Sequence, residues 1–275
     1  MTALPHQIGV YGGGRMGAGI AHAFAAAGSH VTIVESDDPA ADAARERIRA
    51  SLAKAAEKGA PVTGQVVVVT DPAALAACGL VVEAVPELLE VKTAVLTTVA
   101  TVAPQAAIGT NTSSLSIDAL AHGLADPTRL IGLHFFNPVP VSDLVEIVVG
   151  ARTDPALVGD ARSWVQALGK TAITVADSPG FASSRLGVAI ALEAMRMLEE
   201  GVASAHDIDT AMTLGYRHPV GPLKTTDIVG LDVRLAIAEH LERELGPRFA
   251  PPKVLRDKVA AGELGRKTGQ GFYPW

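Results

Sequence analysis

Residues 8–21 read IGVYGGGRMGAGIA: an apolar run, glycines at 12, 14 and 17, then the small and apolar residues of a helix. Few folds accommodate that order. Gly12 permits the tight turn out of a strand, Gly14 lets a ligand come against the backbone, and Gly17 lets the helix lie close on the strand, with Met16 beside it in the same turn. The helix mouth then offers unpaired N–H groups and the positive end of its dipole, which suit a pyrophosphate. A second apolar run, HVTIVE, ends in Glu35, eighteen residues past Gly17, where a carboxylate reaches the adenosine ribose hydroxyls of a bound dinucleotide. The other reading is a glycine turn kept only for packing; position, spacing and acid together favour the dinucleotide. Glu35 repels a 2′-phosphate, and the following SDDPAADAA adds acids with no cation before Arg45, so NAD is expected rather than NADP.

The rest of the chain divides in two. Up to about residue 176, β-rich runs recur: IGVYG, HVTIVE, VVVVT, LVVEAV, AAIGTN, LIGLHFF, LVEIVVG and AITVAD. They are almost continuously apolar, as strands buried on both faces must be. Helical stretches separate the first five, the sign of βαβ units and a mainly parallel sheet; the last three have shorter or Pro-rich connections, so some are expected to pair antiparallel. DSPGF, residues 177–181, marks the change. Beyond it RLGVAIALEAMRMLEEG, HDIDTAMTLG and GLDVRLAIAEHLERELG carry apolar residues at helical spacing, the first stopping at Gly201. The expected fold class is α/β: an N-terminal Rossmann-like, doubly wound sheet over residues 1–180 and an all-α C-terminal domain over 181–275, with the crevice between them as the default ligand site.

Bulk properties narrow the function classes. A net charge of -6 with interspersed signs and no Lys/Arg block argues against a nucleic-acid partner. The single cysteine, Cys78, excludes an internal disulfide and reads as a small core residue in a reducing compartment. With no basic-then-apolar leader and no apolar run of membrane-spanning length, a soluble, cytoplasmic protein without membrane contact is expected.

The chemistry is concentrated in HFFNPVPVSDLVE, residues 134–146. A histidine after an apolar run, a turn with two prolines and a glutamate twelve residues on are general-base residue types, although a satisfied histidine and a surface carboxylate are the plainer reading. GGGRMGAGIA, VVEAVPELLEVK, NTSSLSI, GLHFFNPVPVSDLVEIVVG, DSPGFASSR, GYRHPVGPLKTTDIVGLDV and GRKTGQGFYPW together resemble the 3-hydroxyacyl-CoA dehydrogenase family, including the short bacterial 3-hydroxybutyryl-CoA dehydrogenases, from residue 8 to the end.

The resemblance implies NAD-dependent oxidation of a (S)-3-hydroxyacyl-CoA, short-chained as in 3-hydroxybutyryl-CoA, or the reverse reduction. It makes His134 the general base or acid and Glu146 the carboxylate that orients it. Ser113 falls at the position that contacts both substrate oxygen and nicotinamide, with Asn111 as a backbone organiser. Glu87, Lys92, Asn137 and Lys267 fall at cofactor-contacting positions. Ser51 and Lys58, with Lys54 one turn earlier, fall where coenzyme A phosphates are met, although cations near a helix C-terminus are also favoured by the dipole alone. The remaining histidines, His6, His22, His30, His122, His206, His218 and His240, show no ligand spacing, and no metal is assigned.

One position departs from the family: Ser184 stands before Arg185 where the family has a catalytic Asn. Serine keeps a donor and an acceptor but lacks the amide's fork, so altered substrate preference with catalysis intact is expected. A hydroxyacyl group on a carrier protein, or a free β-hydroxy acid, is the alternative substrate. A non-catalytic NAD(H)-binding redox sensor is the alternative of another class. A homodimer through the helical domain is expected from the resemblance and from its apolar faces.

Overall fold

The computed structural model describes residues 3–60 and 62–275, in two compact units that meet in sequence at Ser178 and Pro179. All eight apolar runs of the first unit form strands: β1 (Gln7–Tyr11), β2 (His30–Val34), β3 (Val66–Val69), β4 (Leu80–Glu83), β5 (Ala107–Thr110), β6 (Leu130–Phe135), β7 (Leu144–Val149) and β8 (Thr171–Ala176). They make one sheet in the order β3-β2-β1-β4-β5-β6-β7-β8. Every pair is parallel except β6 with β7. That exception follows from the connection. A parallel return needs a crossover of a dozen or more residues, and residues 136–143 are too few to make one. The β7–β8 connection instead holds a helix, so that pair is parallel despite the shorter link expected from sequence.

Helices α1 (Arg15–Ala26), α2 (Asp38–Glu57), α3 (Leu89–Val102), α4 (Ile117–Ala121) and α5 (Pro155–Ala167) cover the sheet. Ile8, Val10, Ile33, Leu80, Val82, Ile131, Leu133, Val145 and Ile147 are buried in one cluster, each contributing roughly 1.5–3 kcal/mol of transfer free energy. Chain order reverses between β1 and β4, and in open α/β sheets ligands bind at the carboxyl ends of strands at such a point. The glycine turn lies there. Gly12 has φ +93°, and its N–H donates to the Val34 carbonyl at 2.8 Å.

The second unit is helical: α6 (Ser183–Glu199), α7 (Ala205–Thr210), α8 (Pro222–Val229), α9 (Leu231–Leu245) and α10 (Lys253–Ala260). Val188, Ala191, Leu192 and Met195 recur on one face of α6 and pack with Ile208, Leu223, Leu231, Leu241 and Leu255. The segment expected as one helix over HDIDTAMTLG widens to π geometry at Ala211–Gly215. Buried Asp227 pins the C-terminal tail, accepting hydrogen bonds from the backbone N–H groups of Phe272 and Tyr273 and from Trp275 Nε1. No helix among the described residues is long and apolar enough to cross a membrane.

The glycines of the turn respond differently to a side chain. A Cβ at Gly17 would lie 1.8 Å from the Gly12 carbonyl oxygen, whereas one at Gly14 meets nothing within 4 Å. Thermal melts will show Gly17→Ala destabilised by roughly 3 kcal/mol or more, and Gly14→Ala melting with the wild type while losing affinity for the dinucleotide.

Candidate active site

Antiparallel register brings the histidine and the glutamate together. His134 is the residue opposite Glu146 across β6 and β7, so the two side chains leave the same face of the sheet. His134 Nδ1 lies 2.7 Å from Glu146 Oε2, with the carboxylate fully buried. An isolated buried carboxylate is strongly disfavoured, so the imidazole that bonds it is also its stabiliser. That bond fixes Nδ1 as the nitrogen facing the carboxylate and leaves Nε2 as the one able to exchange a proton with a substrate. The Asn111 side-chain oxygen accepts from Phe135 N–H at 2.9 Å, tying the end of β5 beside the histidine. This is the organising role expected of Asn111.

The turn between the two strands is braced by Lys170, which the sequence reading did not single out. Its ammonium donates to the carbonyls of Val139 at 2.7 Å and Ser142 at 2.5 Å. Burial lowers its pKa, with Asp143 acting in the opposite direction.

A second constellation holds the loop after β5. Glu83, the last residue of β4, is fully buried and accepts from Lys92 Nζ at 2.7 Å, from Val85 N–H and from Thr110 Oγ1. Lys92 is 1% exposed and its ammonium also lies 3.4 Å from Glu87. Glu87 Oε1 in turn accepts from Thr112 Oγ1, from the N–H groups of Ser113 and Ser114 and from Ser114 Oγ. Burial alone raises the Glu87 carboxyl, but the bonds from Thr112, Ser113 and Ser114 and the charge of Lys92 outweigh it and hold the group below its ordinary value. Glu87 and Lys92, expected from the resemblance at cofactor-contacting positions, therefore converge on the Ser113 loop, with the Lys92 ammonium buried against Glu83 and Glu87. Glu83 was missed, though an ionisable residue closing a strand buried on both faces was a usable signal.

At the glycine turn, Glu35 Oε1 accepts from Gly13 N–H at 2.6 Å, so the carboxylate stands at the mouth of α1. The open space over Gly14, the free approach to the helix mouth and this carboxylate together fit a dinucleotide. Next to them is a cavity of about 730 Å³ lined by α1, by α2 and by the Asn137–Val141 turn. Ser51, Lys54, Lys58 and Asn137 all reach it, as do Arg15 and Arg47, and no carboxylate lines it. Gly19 makes the contact possible, since a Cβ there would lie 2.9 Å from Val139. Buried His22 bonds Ser51 Oγ through Nδ1 at 2.7 Å, and burial lowers its pKa, favouring the neutral ring. No group of His, Cys, Asp and Glu able to hold a metal occurs among the described residues.

Ser184 and Lys267 belong to the helical unit. Ser184 occupies the first turn of α6 and is half-buried. Lys267 Nζ donates to both carboxylate oxygens of Asp232 at 2.6 Å, joining the tail to the start of α9.

The chain matches two family profiles: 3-hydroxyacyl-CoA dehydrogenase, NAD binding domain, over residues 7–178, and 3-hydroxyacyl-CoA dehydrogenase, C-terminal domain, over residues 180–275. A 3-hydroxybutyryl-CoA dehydrogenase of Mycobacterium tuberculosis is 39% identical over 286 residues, with all of both chains covered. The crystal structure of an (S)-3-hydroxybutyryl-CoA dehydrogenase from Ralstonia eutropha is 37% identical with a TM-score of 0.93, covering 98% of this chain and 99% of that one. A diketoreductase structure, described as acting on dicarbonyl compounds, is 29% identical with a TM-score of 0.87 over all of both chains.

Two outcomes are expected from the geometry. Lys170→Met will accelerate amide exchange at Val141 and Ser142, whose N–H groups bond the Pro138 carbonyl, by about tenfold or more, because charge-assisted bonds worth ~1.5–3 kcal/mol are removed. A carboxyl held below its ordinary value stabilises the fold fully above the unfolded value of 4.5 and loses that contribution as pH falls through the folded value. The melting-temperature gap between wild type and Glu87→Gln will therefore be present at neutral pH and close on acidification.

Proposed function

Because the chain belongs to the 3-hydroxyacyl-CoA dehydrogenase family, an NAD-dependent class interconverting 3-hydroxyacyl-CoA and 3-oxoacyl-CoA, we propose that His134 is its proton carrier and Glu146 the group that orients it. The observation that carries this is the 2.7 Å bond between them, made by residues opposite each other across β6 and β7. NAD, when bound, supplies the hydride acceptor. His134 takes the proton of the 3-hydroxyl as C3 is oxidised and returns it in the reduction, and Glu146 stabilises the imidazolium formed between. Ser113 steadies the substrate oxygen, held in place by Glu87, while Glu83 and Lys92 act on the site through Glu87 rather than on the reactants.

Gly12, Gly14, Met16, Gly17 and Glu35 bind the dinucleotide, with Asn137 at its reacting end. Ser51, Lys54 and Lys58 bind the phosphates of coenzyme A, a reading supported by a cavity whose charged lining residues, Arg15, Arg47, Lys54 and Lys58, are all cations. His22 holds the Ser51 hydroxyl, and Arg15 and Arg47 add to the same field. Residues 181–275 form the substrate and dimerisation domain, Ser184 keeps a polar contact in the catalytic set, and the enzyme works on short chains as a cytoplasmic homodimer. Lys267 supports the cofactor side by fixing the tail on α9.

A second reading, reduction of a free dicarbonyl compound, draws on the likeness to the diketoreductase. The Lys54→Ala, Lys58→Ala double variant separates the two. It raises KM for a CoA thioester about tenfold or more if the lysines meet phosphates, and leaves a free dicarbonyl substrate unaffected.

The decisive assay follows NADH consumption with acetoacetyl-CoA. Wild type will turn over with NADH in preference to NADPH, and His134→Gln will lose roughly 10²–10⁴-fold in kcat while still binding NADH. Wild-type protein that binds NADH yet oxidises it with no 3-oxoacyl thioester would instead establish a redox sensor. Ser184→Asn will change the ranking of acyl-chain lengths by kcat/KM; an unchanged ranking removes Ser184 from substrate selection.

A further inference from the structure

His22, on α1, is 7% exposed and lines the cavity beside α2. Its Nδ1 lies 2.7 Å from Ser51 Oγ, and the ring makes no other hydrogen bond among the described residues. Burial lowers its pKa, so the ring is neutral at neutral pH.

The charged side chains around the same space are Arg15 of α1 and Arg47, Lys54 and Lys58 of α2, all cations. The Asn137–Val141 turn adds an amide, two prolines and two valines. The strands beneath α1 bury Ile8, Val10, Val31 and Ile33. His30 of β2 stacks on His6, and Tyr11 of β1 feels the charge of Glu35; both stand outside the cavity lining. Four cations thus oppose a charge on the His22 ring until an anion joins them, and an anion reverses the local field.

The bond to Ser51 makes the proton count matter. A hydroxyl has one proton to give. While Nδ1 is bare it accepts that proton, and Ser51 turns only lone pairs toward the cavity, a poor face for a phosphate. Once Nδ1 carries a proton it donates to Ser51 Oγ, and the hydroxyl is released to donate to a phosphate oxygen.

We propose that the α1–α2 cavity binds the phosphates of the acyl carrier together with one proton, which His22 takes from solvent and relays as a hydrogen bond through the Ser51 hydroxyl. This rests on the coenzyme A reading above. His22 is a positioning residue: it acts on the anion through Ser51 and takes no part in the transfers at C3. No covalent bond of the ligand changes, and the proton returns to solvent when the ligand leaves.

The test is calorimetric titration of wild type, His22→Gln and Ser51→Ala with free coenzyme A, each in two buffers of different ionisation enthalpy. Wild type will take up more protons per coenzyme A bound than either variant. The ligand's own phosphates titrate in all three, so the difference belongs to the ring. The bound anion raises the ring's pKa, so the affinity gained is present at low pH and lost as pH rises through the bound-state value. With acetoacetyl-CoA, the KM of His22→Gln relative to wild type will therefore rise about fivefold or more from about pH 8 to about pH 6. With the matching pantetheine thioester, which lacks the phosphates, the ratio will stay flat.

Equal proton uptake in wild type and His22→Gln overturns the proposal, since the ring then stays neutral and only changes tautomer. Equal uptake in Ser51→Ala overturns it too, by placing the proton outside the relay, and this variant decides the matter if His22→Gln melts well below wild type. A KM ratio that rises equally with the pantetheine thioester has the same effect. Failure of the coenzyme A reading looks different: the Lys54→Ala, Lys58→Ala double variant then binds coenzyme A as tightly as wild type.

Discussion

Glu146 is a carboxylate with no access to water, and much of the surrounding structure serves to make that tolerable. Its stabiliser is the ring of His134, and the ring is in place because β6 and β7 run antiparallel in a register that sets the two residues opposite each other. A slip of one residue would move the histidine to the other face of the sheet and break its bond to the carboxylate. The turn of residues 136–143 prevents that slip, and the turn is itself held by the ammonium of Lys170 and by its packing on Gly19 of α1. The geometry of the His134–Glu146 pair and the stability of this part of the sheet are therefore the same interaction seen from two sides.

The loop carrying Ser113 is secured in a comparable way, by charge rather than by strand pairing. Glu83, Lys92 and Glu87 form a relay from the buried end of β4 outward, and the outermost carboxylate gathers N–H and O–H donors from three successive residues, Thr112, Ser113 and Ser114. Lys92 balances two carboxylates, which keeps Glu87 ionised and able to accept. Because the relay begins inside the sheet, the loop inherits the rigidity of the core rather than the mobility usual for a surface connection.

Cations also gather beside the glycine turn. The α1–α2 cavity is lined by Arg15, Arg47, Lys54 and Lys58, a suitable arrangement for a polyphosphate.

The sequence by itself determined whatever depends on near neighbours in the chain. The Gly12, Gly14 and Gly17 spacing dictates the turn, since the steric demands on each glycine arise within a few residues. The eight apolar runs dictate the strands, and the helical spacing of 188, 191, 192 and 195 dictates the buried face of α6. Residue type and spacing also singled out His134, Glu146 and Glu35, and the resemblance named Glu87 and Ser113. Only the tertiary structure decided which strands pair in which direction, that Lys92 spends its charge inside the protein, that Lys267 is bonded to Asp232, and that His22 and Lys170 have work to do. The physical reason is common to all of these. A hydrogen bond or ion pair between residues far apart in sequence depends on where the sheet and helices bring them, and no periodicity reports it.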